Sequence, residues 1–218
     1  MKECPVKQLK TIEPLPPRMQ PLAVDERGYV VPWFVDWIDG KPEFRAMDGK
    51  KFVRAIRENL CWVCGQRMGR LMTFVAGPMC GINRTSSEPP SHKECAEWST
   101  RNCPFLSNPQ AIRRVDEVIG ADMSNCAGNA LTRNPGVVML WTTKDYSIFN
   151  DGKDKPLLHM GEPVSVEWYA LGKSASREQV IASIESGIPA LITIAQQQNG
   201  AMQALTEMRQ RFEKFIPA

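Results

Sequence analysis

With 218 residues and a hydrophobic content of 43%, the chain can bury a real core, either as one large domain or as two small ones. No stretch approaches the ~18–20 consecutive apolar residues that a membrane-spanning helix needs, and the richest candidate, Ile188 to Ala195, is interrupted by Pro189 and Thr193. The net charge of +3 excludes neither a nucleic-acid nor a protein partner, so its distribution along the chain matters more than its total.

That distribution is uneven. Lys50 to Arg114 carries +7 and the rest of the chain −4. A Zn²⁺ held by three thiolates would add about −1 to the middle segment, which stays cationic.

Taken in order, residues 1–27 contain five prolines, mixed charge and no periodicity, the composition of an extended or partly disordered arm. They show no apolar core of a secretory leader, so a cytoplasmic location is expected. From Tyr29 to Ile38 the chain turns β-branched and aromatic, with Trp33, Val35 and Trp37 alternating against Phe34, Asp36 and Ile38. This predicts a strand, with Pro32 at its start or on a sheet edge. Asp39-Gly40 reads as a turn. The segment from Asp48 to Asn59 then predicts a helix with Phe52, Val53 and Ile56 on its apolar face and Lys51, Arg54 and Arg57 around the rest.

That helix leads into Cys61-Trp62-Val63-Cys64-Gly65, and a second pair follows at His92 and Cys95. Each pair has two residues between its members and 27 residues separate the pairs, the spacing of a four-ligand structural zinc site. Gly65 permits the positive φ that turns backbone N–H groups toward thiolate sulfur. Between the pairs, Leu71 to Ala76 predicts a strand, Gly77 to Gly81 a turn, and Ile82 to Ser86 a returning strand. Pro89-Pro90 then stiffens the approach to a helix. Ser91 and Glu94 read as a capping box at its start, which places His92 and Cys95 on one face of its first turn.

Knuckle, hairpin and a ligand pair on the following helix resemble a treble-clef zinc finger over residues 61–95. The resemblance implies a closed zinc centre and leaves function open, because such fingers serve nucleases, nucleic-acid binders and protein-binding modules alike. The run FVAGPMCGINRTSSEPPSHKECAEWSTRNCPFL is similar to a family of proteins carried by phages and prophages. That similarity implies a setting of mobile elements and no mechanism.

Seven cysteines cannot all pair, and their clustering favours thiolates in a reducing compartment over a disulfide framework. Cys80 and Cys103 are alternatives for one ligand position or cysteines packed beside the site, and Cys80 in cationic surroundings is also a candidate reactive thiolate. Cys4 and Cys126 lie outside the cluster.

After Cys103-Pro104, residues 107–120 predict a short helix and residues 120–135 a loop. Val137 to Thr143 and Val164 to Gly172 predict strands joined by a polar turn over Asn150 to Pro156. Ser176 and Gln179 mark the capping box of a helix reaching about Ser186. Beyond Gly187 and Pro189 a stripe of Leu191, Ile194, Met202, Leu205, Met208, Phe212 and Phe215 follows a helical period. It predicts a long C-terminal helix that serves as a packing face or a homodimer seam.

The whole reads as an α+β protein: an arm over 1–27, a zinc-binding region over 28–120, and an α+β region over 121–218, with 28–218 alternatively forming one domain. Four protein ligands leave zinc no open position for water, which favours a structural metal in a non-catalytic binding protein. The partner is expected to be nucleic acid, contacted by Arg54, Arg57, Arg67, Arg70 and Arg84, or a host protein, in the manner of an anti-defence or host-takeover factor. A contrasting expectation is a metal-dependent nuclease or another enzyme using Cys80, Glu88 or His159. A nuclease of the histidine-metal-finger type would need a histidine base where this sequence has Pro78, Met79 and Cys80.

Overall fold

The computed structural model describes residues 13–108, 135–150 and 156–218. The expected helix over 107–120, the loop after it, most of the turn over 150–156, Cys4 and Cys126 fall outside them. Among the described residues the chain is an α+β protein with five α-helices and three small sheets.

The first sheet is a hairpin of β1 (Val35–Ile38) and β2 (Lys41–Met47). Asp39 and Gly40 both take positive φ, 49° and 74°, the geometry whose twist matches paired strands. The strand begins later than its β-branched composition predicts, because Val35 N–H turns back to the Pro32 carbonyl at 3.1 Å. Helix α1 (Gly49–Glu58) is capped by the Asp48 carboxylate, which accepts from the N–H groups of Lys50 and Lys51 at 2.9 and 3.2 Å. It ends at Asn59 in the left-handed region. Its buried residue is Ala55, whereas Val53 is 58% exposed. Phe52 and Ile56, four apart, share the inward side, and Val53 lies about 100° around the helix from Phe52.

Strand β3 (Met72–Ala76) forms as its apolar run predicts. The turn and returning strand expected after it do not. Gly77 and Pro78 start a helix, α2 (Pro78–Asn83), with proline at the position where its missing N–H costs nothing. Met79 and Ile82 carry α2 into the main core. Strand β4 (Thr85–Ser86) then pairs with β7 and not with β3. Helix α3 (Lys93–Asn102) ends at Cys103, before Pro104, as expected.

The central sheet has the order β3-β5-β8-β9, antiparallel throughout, with β5 (Val138–Thr143), β8 (Pro163–Ala170) and β9 (Lys173–Ser174). Every residue of β5 is buried, which explains why its sequence reads as a continuous apolar run without alternation. Phe74, Met139, Trp141 and Trp168 belong to the main core with α2 and the C-terminal helices, while Leu140 and Tyr169 cluster with Ala96 of α3. Two strands unforeseen in the sequence, β6 (Tyr146–Asn150) and β7 (Pro156–Met160), form the third sheet with β4.

The C-terminal stripe is divided between two helices, so the single long helix is corrected. Helix α4 (Arg177–Ala195) has the capping box of Ser176 and Gln179. It continues past Gly187 and Pro189 because Ile184, Ile188 and Ala195 are buried in the core, and that burial outweighs the one backbone bond a proline removes. Gly200, with φ of 74°, separates it from α5 (Ala201–Phe212), and a 3₁₀ turn follows over Glu213–Phe215. Leu205 and Phe212 are buried, and Leu191, Met208 and Phe215 pack around them. Met202 of the same stripe is exposed.

Residues 13–27 do not trail away from the rest. Met19 is fully buried against the cysteine cluster, and Glu13 and Arg18 pair with Arg101 and Glu94 of α3 at 2.9 and 2.7 Å.

Candidate metal centre

The site is built from a knuckle and the start of α3. Leu60 and Arg67 form an antiparallel bridge, and Cys61 N–H donates to the Gln66 carbonyl at 2.8 Å, closing a tight loop around Cys64. Gly65 sits at its apex with φ of +72°, as the knuckle reading requires. It has a second reason to be glycine: a Cβ there would lie 2.6 Å from Cγ of Trp33. Trp62 stacks on Phe34 with ring centroids 4.9 Å apart, and the edges of Trp33 and Phe52 complete an aromatic bed under the loop.

The second ligand pair is brought to the knuckle by backbone bonds. Thr73 and Ser91 exchange two N–H to carbonyl bonds at 2.9 and 2.8 Å, and Trp62 N–H donates to the Pro90 carbonyl at 3.0 Å. With Ser91 drawn into that bridge, the residue capping α3 is His92, so the capping box of Ser91 and Glu94 does not form. Glu94 pairs instead with Arg18. The expected knuckle and helix are present, but the expected hairpin between them shrinks to the Thr73–Ser91 bridge because α2 and β4 lead away.

The coordinating atoms of Cys61, Cys64, His92 and Cys95 all lie within 4.8 Å of one another, a group that can hold a metal ion. Cys61 and Cys95 are fully buried, Cys64 nearly so and His92 half-buried. Cys61 Sγ accepts backbone N–H bonds from Cys64 at 3.4 Å and His92 at 3.3 Å, the support expected for a thiolate. His92 Nδ1 lies 3.4 Å from Cys64 Sγ, and its Nε2 is 3.1 Å from the Arg67 carbonyl. A carbonyl can only accept, so Nε2 carries the hydrogen and Nδ1 offers its lone pair to the cluster. A tetrahedral ion with bonds of ~2.3 Å to sulfur and ~2.0 Å to nitrogen separates S and N by roughly 3.5 Å, which the observed contact matches.

Without a metal the four groups share protons. Bonds to Cys61 and Cys64 push His92 up to about 10. Burial opposes ionisation of Cys61, but hydrogen bonds from Cys64, Cys95 and His92 prevail and hold its thiol far below the usual range. Cys95 moves the other way, because its proton bridges to Cys61 and Cys64. A metal would thus replace the protons on His92 and Cys95. With all four positions taken by protein, such an ion has none left for water.

Cys80 lies on α2 and Cys103 at the end of α3, where burial pushes its thiol up; neither belongs to the cluster. Glu88 follows β4, with its N–H on the Ser86 hydroxyl. His159 is exposed on β7 between Thr85 and Ser147 in register, and burial followed by the charge of Arg84 lowers its pKa. Two surface grooves, one along β8 and one beside α4 and α5, are lined by none of these four residues.

The five arginines separate into three situations. Arg54 and Arg57 both pair with Glu58 at the surface. Arg84 is anchored, donating to the Met160 carbonyl at 3.0 Å and to Glu162 at 2.6 Å, with its guanidinium over Trp141. Arg67 and Arg70 are exposed on the segment leaving the knuckle, and neither has an acidic partner among the described residues.

Sequence reasoning did not foresee the Arg67 carbonyl behind His92, the Trp33 ring against Gly65, or the Thr73–Ser91 bridge. Only the last left a trace, since Pro89-Pro90 forces extended backbone just before His92. No family model, no curated protein and no solved structure matches the chain.

Proposed function

We propose that this chain is a zinc-stabilised binding module with no catalytic metal, its finger a treble-clef variant whose hairpin has been opened by α2 and β4. The observation that carries the reading is closure: four ligand atoms gathered within 4.8 Å at a largely buried point. Three sulfurs and one imidazole nitrogen form a soft set that suits tetrahedral zinc, and thiolate ligation fits a reducing cytoplasm.

Nucleic acid is the partner we favour. Arg67 and Arg70, next to the knuckle and without an acidic partner among the described residues, are the arginines we place on phosphate, and Arg54 and Arg57 extend the same basic segment. The phage-like run of residues 74–106 makes a host nucleic acid or an anti-defence setting part of the same proposal.

The test is binding of a labelled duplex and a labelled single strand between roughly 50 and 200 mM salt. Affinity should fall steeply as counterions are retained. Replacing Arg67 and Arg70 together by Ala should weaken binding for every sequence and reduce the salt slope by about two units. The strand should stay uncut when Mg²⁺ or Mn²⁺ is added. Binding unaffected by that double substitution, or cleavage abolished by Glu88→Ala, would reject the proposal.

A further inference from the structure

Among the described residues the outer edge of the central sheet is open. Strand β9 covers only Tyr169 and Ala170 of β8, and one further bond, Ala175 N–H to the Trp168 carbonyl at 2.9 Å, continues the pairing. Antiparallel residues alternate in the side to which they offer their backbone groups. If Trp168 faces outward, so does Val166, and no described residue bonds to the N–H or carbonyl of Val166 on that side. Sheet edges are commonly blunted. Here Pro163 and a register shift opposite Thr142 and Thr143 blunt only the beginning of β8, leaving Ser165 to Trp168, about 13 Å of edge at ~3.3 Å per residue.

This edge forms one side of a groove of about 540 Å³, whose other wall is Lys214, Phe215, Ile216 and Pro217. The wall is held in place. Trp168 Nε1 donates to the Phe215 carbonyl at 2.8 Å, Arg177 donates to the Pro217 carbonyl at 2.7 Å, and the Phe215 ring packs 5.0 Å from that of Trp141. A groove already formed costs a ligand less to enter. Of the charged groups lining it, Glu167 is neutralised by Lys93 at 2.6 Å, whereas Lys214 is exposed and has no carboxylate partner among the described residues.

We propose that this groove accepts an extended segment of a partner protein as an added strand. Its backbone pairs with Val166, an apolar side chain lies against Val166 and Phe215, and an acidic side chain meets Lys214. A second copy of this chain is a poorer occupant. Pairing two β8 edges about a twofold axis would bring both 214–217 walls onto the same side of one continuous sheet, where they would collide.

The experiment is selection of a random dodecapeptide display library on the full chain, followed by titration of the synthesised winners. Alternating apolar residues with an acidic one should be enriched. Lys214→Glu, a change at an exposed side chain, should weaken those peptides at least fivefold. Val166→Pro removes an outward N–H that no described residue bonds, together with the Val166 side chain's packing on the core, and should weaken them at least tenfold. N-methylation along a winning peptide, which leaves the protein unaltered, should abolish binding at alternate positions. No enrichment, a flat methylation scan or indifference to Lys214→Glu would overturn the proposal. So would a homodimer by light scattering that Val166→Pro dissociates, which would give the edge to a second copy.

Discussion

Substituting Gly65 by Ala separates two effects that the structure superimposes at one atom. The backbone there has φ of +72°, a conformation that costs an L-residue roughly 1–2 kcal/mol. The new Cβ would also stand 2.6–2.8 Å from three atoms of the Trp33 ring, well inside contact distance. The ring cannot retreat freely, since Trp33 N–H is tied to the Val63 carbonyl at 2.7 Å and its edge meets Trp62. Overpacking of this kind adds about 1–3 kcal/mol, for a total of roughly 2–5 kcal/mol. Gly40 supplies the control: its φ is +74°, and nothing lies within 4 Å of its would-be Cβ. Gly40→Ala should therefore cost only the backbone part. At about 2–4 °C per kcal/mol for a chain of this size, thermal melts of zinc-loaded protein should show Gly65→Ala falling by roughly 5–15 °C and Gly40→Ala by a third to a half as much. Gly65→Ala should also release zinc to a chromophoric chelator faster, because the strained loop carries Cys61 and Cys64. Equal melting temperatures for the two variants would refute the steric part of the reasoning.

Purified protein should contain one zinc per chain by elemental analysis. Cys95→Ser should lose it together with the near-ultraviolet signal of Trp62 and Trp98, because metal binding in such a centre is folding free energy; a variant that keeps both would refute the ligand set. Zinc affinity should fall as pH falls, since His92, raised to about 10, and Cys95, also raised, hold protons that the metal must displace. Each departing proton gives roughly tenfold per pH unit near neutrality, and a flat chelator-competition profile from pH 6 to 8 would count against the scheme. Arg84→Ala should cost about 1–2 kcal/mol of stability through the lost bonds to Met160 and Glu162, while leaving the salt slope of any nucleic-acid binding unchanged. Light scattering at high concentration should give a monomer mass, because Leu205 and Phe212 are buried within one chain and Leu191, Met208 and Phe215 pack on the same core.

The four clustered residues were legible because metal chemistry imposes short-range rules. Two residues between Cys61 and Cys64, and between His92 and Cys95, suffice to place each pair on one turn of backbone, and a glycine after the second cysteine signals the positive φ. Local chemistry also announced α1, through the Asp48 cap and the Asn59 stop, and the start of α4, through Ser176 and Gln179. The apolar runs of β3 and β5 and the alternation in β8 were equally plain, because the buried side of a strand must be apolar whichever strand lies beside it.

What the sequence could not determine is who pairs with whom. Nothing between Leu71 and Ser86 records that β3 joins β5, that β4 leaves for β7, or that Gly77-Pro78 opens a helix, since those outcomes depend on Met79 and Ile82 finding Ile184 and Phe212 a hundred residues or more away. For the same reason α4 runs through Pro189 despite a local signal to stop. The arginines divide likewise: charge along the chain treats Arg67 and Arg84 alike, and only the tertiary structure brings Glu162 to one and leaves the other facing solvent. The sequence by itself determined the four-residue cluster that can hold a metal and the local starts and stops, because those follow from bonds and contacts within a few residues. The tertiary structure decided strand partners, the extent of the C-terminal helices and which charges stay free, because those rest on contacts between segments that the order of residues keeps far apart.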